Sequence, residues 1–420
     1  MLLIKNGRLY DAISKTSDIL IENDRIAAIS DNIPQTDEMT VVDASELIIA
    51  PGLVDMHVHF RDPGFEYKED ILTGASAAAA GGVTTCCCMP NTSPTADAAN
   101  VIRDITKKAQ KASVAVLPYG AVTIGQEGRE LTDFAALKAA GAIALSDDGN
   151  PIQNARLMHI AMQKAREQDL LIISHCEDAD LVQNFAVNEG KASWELMLPG
   201  RPAIAEEIMV ARDAMLSAGT GARIHIAHVS TARSVEIIRK AKAAGVKITT
   251  ETCPQYFSLT EEEVLHQGAI ARVNPPLRTQ ADVEAIIDGL TDGTIDTIAT
   301  DHAPHSVEEK ALPLTDAPSG MIGLETSLAL ALTNLYHTGR IDLEKIIALM
   351  STNPARILGV GQGSRTLSYP DIVIFDPDAE WTVDPEKFRS KARNTPFAGK
   401  KLRGKVKYTI SRGELVYCGY

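Results

Sequence analysis

Two histidines, His57 and His59, lie two residues apart in the apolar run LVDMHVHF. Successive side chains of a β-strand point to opposite faces, so this spacing puts both imidazoles on one face. Such a pair at the end of a strand is typical of sites that bind a metal ion through imidazole nitrogens. Either histidine alone is more often a structural residue, so the prediction depends on further ligands elsewhere in the chain.

Candidate ligands follow three other apolar runs. His175 ends LLIISH, His228 ends ARIHIAH, and Asp301 ends DTIATD. Imidazole nitrogens and carboxylate oxygens suit Zn²⁺. With an aspartate from a fourth run, the set contains four histidines and two aspartates, which is too many for one tetrahedral zinc. We therefore predict two zinc ions bridged by a carboxylate and a hydroxide.

The fourth run, AIALSDDG, carries two adjacent aspartates, Asp147 and Asp148. Alternation puts Asp147 on the face of Ile143 and Leu145, whereas Asp148 shares the other face with small residues. Large aliphatic side chains belong against the outer helices, so the face of Asp148 points inward. We predict that Asp148 bridges the ions and that Asp147 supports the site from behind or caps a helix.

The same alternation places Asp55 on the face of His57 and His59, where we expect it to orient a histidine. His225 falls on the opposite face from His228, so we exclude it from the predicted site. Three further histidines lie in helical or connecting segments and are also excluded: His159, His266 and His337.

Eight short β-rich runs alternate with helical patterns, which is typical of a parallel sheet with crossover helices. Eight strand–helix units over about 300 residues predict an α/β fold, a (β/α)8 TIM barrel whose active site lies at the C-terminal ends of the strands. A doubly wound open sheet is the alternative. The runs are LVDMHVHF, VTTCCCMPN, SVAVLPYGAV, AIALSDDG, LLIISHCED, ARIHIAHVS, VKITTETCP and DTIATDHAP.

Both ends of the chain read as strands and turns rather than as strand–helix units, for example DILIENDRIAAIS and GKVKYTISRGELVY. We predict that residues 1–50 and 360–420 form one small, discontinuous β-sandwich domain. Residues 51–359 then form the barrel.

The composition limits the classes of partner. A formal net charge of −14 argues against nucleic acid and anionic membranes, because both would repel the chain. We see no signal-peptide layout and no apolar run near the ~20 residues that cross a bilayer. The six cysteines do not resemble a disulfide framework, so we expect small apolar core residues. Reduced thiols without an export signal predict a cytoplasmic protein.

A set of motifs resembles one family in content and order. They are HVHFRDPG at 57–64, MPN at 89–91, SDDG at 146–149, SHCED at 174–178, AHVS at 227–230, NPPLR at 274–278, TDHAPH at 300–305 and NPAR at 353–356. With these motifs the chain resembles dihydroorotases of the amidohydrolase superfamily over its whole length. It looks most similar to the bacterial type in which an aspartate replaces a carbamylated bridging lysine, and the fourth run ends without a lysine.

The resemblance implies a role for each site residue. One ion is bound by His57, His59 and Asp301, the other by His175 and His228, and Asp148 bridges both. Substrate contacts come from Arg61, Asn91, Asn274 and His305, and from backbone groups near Ser319 and Gly320. A guanidinium holds a carboxylate through paired, charge-assisted hydrogen bonds, and amide side chains offer both donors and acceptors.

The resemblance also implies the reaction, which is the reversible cyclisation of N-carbamoyl-L-aspartate to dihydroorotate and water in pyrimidine biosynthesis. In the hydrolytic direction, hydroxide held by the ions attacks the ring carbonyl. Asp301 takes the proton and passes it to the departing amide nitrogen.

Two alternatives are weaker. Dihydropyrimidinases, hydantoinases and allantoinases act on rings without this carboxylate, so they would not need Arg61. A non-catalytic scaffold for aspartate transcarbamoylase would be expected to lack metal ligands. A homodimer and an association with that transcarbamoylase are left open. Residues 302–322, rich in Pro and charge, predict either a lid over the substrate or an inert exposed loop.

Overall fold

The computed structural model describes residues 1–183, 185–361 and 369–419. Residues 362–368 and 420 of the predicted C-terminal β segment therefore lie outside the described residues.

The first β segment and the barrel contain fifteen of the strands. Strands β1 to β5 are Leu2–Leu9, Ala12–Glu22, Arg25–Ser30, Thr40–Asp43 and Ile48–Pro51. Strands β6 to β10 are Leu53–Val58, Val83–Cys88, Ala115–Pro118, Ala144–Ser146 and Leu171–Ser174. Strands β11 to β15 are Val187–Asn188, Gly200–Arg201, Ile224–Ile226, Ile248–Thr252 and Thr297–Ile298. The C-terminal segment adds β16 to β18, at Ile372–Thr382, Lys401–Ser411 and Glu414–Cys418.

The eight predicted runs form the parallel strands of a closed barrel. Strands β6, β7 and β8 pair in that order, and so do β9, β10, β13, β14 and β15. Isolated parallel bridges, Gly120 to Leu145 and Val58 to His302, join the two groups at both edges. The TIM barrel is confirmed, and the doubly wound alternative is wrong because the sheet has no open edge here.

Helices follow the barrel strands and cover them from outside. Helices α1 to α7 are Ile71–Ala80, Ala99–Ala109, Phe134–Ala140, Ala155–Glu167, Ala179–Val182, Lys191–Leu196 and Ile204–Thr220. Helices α8 to α14 are Ala232–Ala243, Glu262–Gln267, Gln280–Asp292, Val307–Lys310, Ser327–Ala331, Leu343–Ile347 and Asn353–Leu358. Helices α12 and α13 continue as π-helical turns at Leu332–Tyr336 and Ala348–Thr352.

Helix α1 illustrates how the sequence fixes this outer layer. Asp70 precedes it and accepts hydrogen bonds from the backbone N–H groups of Leu72 and Thr73, which caps the helix. Its small side chains are almost all buried, so the helix lies close against the strands. A Cβ on Gly74 would lie 2.4 Å from the Phe60 ring, so the close contact requires glycine.

Strands from both ends of the chain form one eight-stranded sheet, which gives the predicted β-sandwich domain. Its order is β18-β17-β16-β5-β1-β2-β3, and β4 pairs with β1. Its core contains side chains from both ends of the chain, among them Ile4, Ile19, Ile372 and Ile410. The domain limits at 50/51 and 359/360 stay a prediction.

Five of the six cysteines are buried, as expected for small core residues. Cys418 is exposed, and the expectation is wrong for this residue because it ends the edge strand β18. Within the described ranges, every helix is too short or too polar to cross a bilayer.

Candidate active site

The six predicted ligands lie at or just beyond the C-terminal ends of barrel strands. His57 lies within β6 and His59 directly after it. The other four side chains follow β9, β10, β13 and β15 within three residues. These four are Asp148, His175, His228 and Asp301, in that order. Parallel strands of a barrel end at a common rim, so residues far apart in sequence meet there. All six predicted ligands are buried.

One group of donor atoms surrounds the carboxylate of Asp301. Its Oδ1 lies 3.0 Å from Nε2 of His59 and 3.6 Å from Nε2 of His57. The donor atoms of these three residues lie close enough together to hold one metal ion.

A second group surrounds Asp148. Its Oδ1 lies 3.3 Å from Nε2 of His228 and 3.4 Å from Nδ1 of His175, and these two nitrogens are 2.8 Å apart. Its Oδ2 lies 3.5 Å from Nε2 of both His57 and His59. Asp148 therefore faces both pairs of histidines, as a bridging carboxylate must.

The donor set fits divalent cations. Two ligands at zinc bond lengths of about 2.0–2.1 Å in a tetrahedral arrangement lie ~3.3 Å apart. The nitrogen–oxygen separations of 3.0–3.6 Å found here are close to that value. In addition, Nε2 of His57 is buried and has no hydrogen-bond partner among the described residues. A buried polar nitrogen without a partner is costly unless an unseen group binds it.

The electrostatics of the cluster also favour positive charge. Burial alone would raise the pKa of Asp148, but the facing imidazoles hold its pKa well below the ordinary range. Burial would lower the pKa of His175, but Asp148 and Glu177 raise it to about 10. The carboxylates thus stabilise cations in this pocket, whether protons or metal ions.

Glu251 of β14 lies behind His57 and is a residue that the sequence reasoning missed. Its Oε1 is 2.6 Å from Nδ1 of His57, and its Oε2 is 3.3 Å from Nε2 of His225. The contact with Nδ1 turns Nε2 of His57 toward the cluster. The strand-end rule that found the ligands also selects Glu251, because it lies near the end of the seventh run.

Asp55 lies beside His57 but not in the role that we expected. Its Oδ1 accepts hydrogen bonds from the backbone N–H groups of His57 and Thr300. It therefore fixes the backbone, while Glu251 orients the ring. His225, which we excluded from the site, contacts Glu251. The alternation along its strand alone did not reveal this contact.

Asp147 points away from Asp148, as the alternation predicts. Its carboxylate accepts hydrogen bonds from the backbone N–H groups of Val122 and Thr123 and from the Thr123 hydroxyl. Asp147 therefore stabilises the loop after β8 and does not cap a helix.

Asn91 and Arg61 lie next to the first pair of histidines. Oδ1 of Asn91 is 2.9 Å from Nδ1 of His59. Arg61 donates from Nε to the backbone carbonyl of Pro304 at 3.2 Å. Burial lowers the pKa of Arg61 to about 10, so the guanidinium keeps its charge at neutral pH.

His305 lies 3.5 Å from the guanidinium of Arg61, measured from its Nε2 to Nη2. The same Nε2 is 2.9 Å from the backbone carbonyl of Ser319. Gly320 donates its N–H to the carbonyl of Arg272, and a Cβ at its φ of +137° would lie 2.7 Å from that of Ala303. The structure therefore brings His305, Ser319 and Gly320 together beside Arg61.

Asn274 lies on the other side of the cluster. Its Nδ2 is 3.4 Å from Nε2 of His175, and its Oδ1 accepts a hydrogen bond from Arg201. Arg201 also pairs with Glu177 at 2.8 Å. The sequence reasoning did not single out Arg201 or Glu177, because their partners are distant in sequence.

Three site residues have a left-handed backbone that non-glycine residues rarely adopt. They are Arg61 at φ +61°, His228 at +33° and Asp301 at +50°. Strained backbone of this kind costs roughly 1–3 kcal/mol and concentrates at functional sites. Its occurrence at three positions around one cluster is a further sign of a working site.

The comparisons with known proteins agree with this geometry. Residues 46–234 match the family described as Dihydro-orotase-like. The chain is 49% identical over 421 residues to the dihydroorotase of Clostridium acetobutylicum, covering 99% of both chains. It is 49% identical to that of Clostridioides difficile, covering 99% of this chain and 100% of the relative. The chain belongs to the dihydroorotase family.

Solved structures of other cyclic amidohydrolases share the fold of this dihydroorotase family member. An L-hydantoinase (dihydropyrimidinase) from Arthrobacter aurescens superposes with a TM-score of 0.88 at 27% identity, covering 99% of this chain and 95% of its own. A D-hydantoinase (dihydropyrimidinase) from Thermus sp. gives 0.84 at 26% identity, with 99% and 95% covered.

Proposed function

We propose that the protein is a dihydroorotase that catalyses the reversible cyclisation of N-carbamoyl-L-aspartate to (S)-dihydroorotate and water in pyrimidine biosynthesis. Relatives with this name at 49% identity over nearly the whole chain support the proposal. One observation of the structure carries it. Two residues that would contact the substrate lie directly against candidate metal ligands. Asn91 is 2.9 Å from the ring of His59, and Asn274 is 3.4 Å from the ring of His175.

We further propose that the cluster holds two zinc ions. His57, His59 and Asp301 would hold one, His175 and His228 the other, and Asp148 both. When bound, such ions supply Lewis acidity to a carbonyl oxygen and lower the pKa of water toward ~7. The distances between the donor atoms and the unpartnered Nε2 of His57 support this assignment.

Asp301 would move the proton of the reaction. In the hydrolytic direction it takes the proton released as water adds to the ring carbonyl. It then gives that proton to the amide nitrogen as the ring opens. Its carboxylate is buried at the centre of the cluster, 3.0 Å from Nε2 of His59, which supports this role.

The carboxylate of the substrate would bind beside Arg61. This guanidinium, Asn91 and His305 come from three different loops and meet on one side of the cluster. Asn274 and the segment at Ser319 and Gly320 would contact the ring from other directions. Residues 302–322 pack over this side, anchored by the buried Lys310, and we propose that they cover the bound substrate.

A hydantoinase or dihydropyrimidinase is the second candidate, because solved structures with these names share the fold. The ring substrates of such enzymes lack the carboxylate that Arg61 would bind in dihydroorotate. A turnover assay on dihydroorotate, N-carbamoyl-L-aspartate and an unsubstituted hydantoin separates the candidates. We expect dihydroorotate to react with a kcat/KM at least ~100-fold above hydantoin, as one charge-assisted contact of up to 3 kcal/mol allows. A preference for hydantoin would reject the proposal.

We also propose that the protein is cytoplasmic and that it associates with a second copy of itself, with aspartate transcarbamoylase, or with both. The six unpaired cysteines support the location. Trp194 and Met197, which are 80% and 91% exposed, support an interface in the insertion between β10 and α7. Light scattering of the purified chain, alone and with the transcarbamoylase, tests both associations.

A further inference from the structure

Arg201 is a buried arginine that has no role in the proposed reaction. It lies in the two-residue strand β12, and its side chain is 9% exposed. Its Nη1 donates to Oε2 of Glu177 at 2.8 Å and also to Oδ1 of Asn274. Its Nε donates to the backbone carbonyl of Phe185. These contacts hold the guanidinium in one orientation against Asn274.

The chemistry of Arg201 determines which end of the Asn274 amide faces it. A guanidinium has five N–H donors and no acceptor, so only the amide oxygen can face it favourably. The amide nitrogen of Asn274 must then point the other way. There, Nδ2 lies 3.4 Å from Nε2 of His175, whose other ring nitrogen faces Asp148.

The oxygen of the second amide of the site, Asn91, also faces a nitrogen. With a cation held at Nε2 of His59, Nδ1 of that ring carries the proton and donates to Oδ1 of Asn91 at 2.9 Å. Both amide oxygens are thus occupied within the protein. Both amides therefore offer N–H donors to a ligand, which suits carboxylate or carbonyl oxygens and does not suit a ring N–H.

We propose that Arg201 is a positioning residue for substrate recognition. By holding the carbonyl oxygen of Asn274, it turns the amide N–H of Asn274 toward an oxygen atom of the substrate. This inference rests on the proposed function, in which Asn274 contacts dihydroorotate. It adds that Asn274 recognises the substrate as a donor only and that Arg201 enforces this.

A double-mutant cycle tests the inference. We would measure kcat and KM for dihydroorotate in the zinc-loaded wild type, Arg201→Met, Asn274→Ala and the double variant, with zinc content as an independent readout. We expect each single change to raise KM about tenfold, the value of one hydrogen bond. The kcat should change by less than about threefold, and the zinc content should stay at the wild-type level. The double variant should be no worse than Asn274→Ala.

Arg212→Met is the matched control. The Arg212 side chain is 16% exposed and donates to Asp213 and to the backbone carbonyl of Ile152 rather than to Asn274. We expect its KM to stay within about twofold of the wild type. An equal rise in KM for Arg212→Met would overturn the assignment to Arg201, as would an unchanged KM for Arg201→Met.

Multiplying effects in the double variant would also overturn the inference, because Arg201 would then act independently of Asn274. If Arg201→Met does not fold because Glu177 is left unpaired, Glu177→Gln is added to it so that both charges are removed. The same double-mutant cycle with Asn274→Ala is then measured in the Glu177→Gln background. A wild type that does not turn over dihydroorotate would reject the proposed function itself. A wild-type KM for Arg201→Met in an active enzyme would reject only this inference.

Discussion

Replacing Glu251 with glutamine isolates the charge that orients His57. The carboxylate lies 2.6 Å from Nδ1 of His57, which is the distance of a charge-assisted hydrogen bond. It is fully buried at 0% exposure, so solvent screens this contact little. The glutamine side chain has the same shape and can still accept from Nδ1, but the negative charge is lost.

The size of the effect follows from this geometry. Hydrogen bonds to charged groups contribute about 1.5–3 kcal/mol and those between neutral groups about 0.5–1.5 kcal/mol. Losing the difference, about 1–1.5 kcal/mol, should weaken zinc binding about tenfold. Glu251→Ala should weaken it further, toward ~100-fold, because the ring then has no acceptor. Competition with a chromophoric chelator measures the zinc dissociation constant of each variant.

Asp18→Asn is the control for losing a buried carboxylate elsewhere, because Asp18 belongs to the β-sandwich domain and is 1% exposed. Its zinc affinity should equal that of the wild type. Wild-type zinc affinity in Glu251→Gln and Glu251→Ala would refute the reasoning, since His57 would then hold its orientation without the carboxylate.

Three further predictions concern the proton, the substrate charge and the β-sandwich domain. Asp301→Asn keeps an oxygen for a cation but cannot take a proton, so kcat should fall about 10²–10⁴-fold with zinc retained; a near-normal kcat would remove Asp301 from the proton transfer. Arg61→Met should raise the KM for dihydroorotate about 10–100-fold and change turnover of a hydantoin far less; equal losses would argue against a carboxylate contact. Asp18 accepts hydrogen bonds from two backbone N–H groups and pairs with Lys5 at 2.6 Å, so its pKa is lowered in the folded protein. Its ionised form therefore stabilises the fold above the unfolded pKa of about 3.9, and this stabilisation is lost as the pH falls through the folded value. Asp18→Asn should lower the free energy of unfolding by about 1.5–3 kcal/mol at pH 7, and urea titrations should show that deficit shrinking below pH ~4.

Much of the fold could be predicted, and so could the meeting of the six candidate ligands at one rim, because both follow from local patterns. The eight strands are short runs with turn signals, and alternation alone separated Asp148 from Asp147. The supporting residues were harder to find. The strand-end position of Glu251 marks it as a candidate, but no periodicity reports its contact with His57, 194 residues away. The same holds for the contact of Arg201 with Asn274, 73 residues away. The role of Asp55 was mistaken for the same reason, since alternation gives the face of a residue but not its partner.

The zinc content at which activity returns tests the central claim most directly. Protein stripped with a chelator would be titrated with zinc, and bound zinc per chain would be compared with the rate of dihydroorotate ring opening. The geometry around Asp148 predicts no activity without metal and full activity at two zinc ions per chain. Full activity in the stripped protein, or with the six ligand positions replaced, would contradict a metal-dependent site at the rim of the barrel.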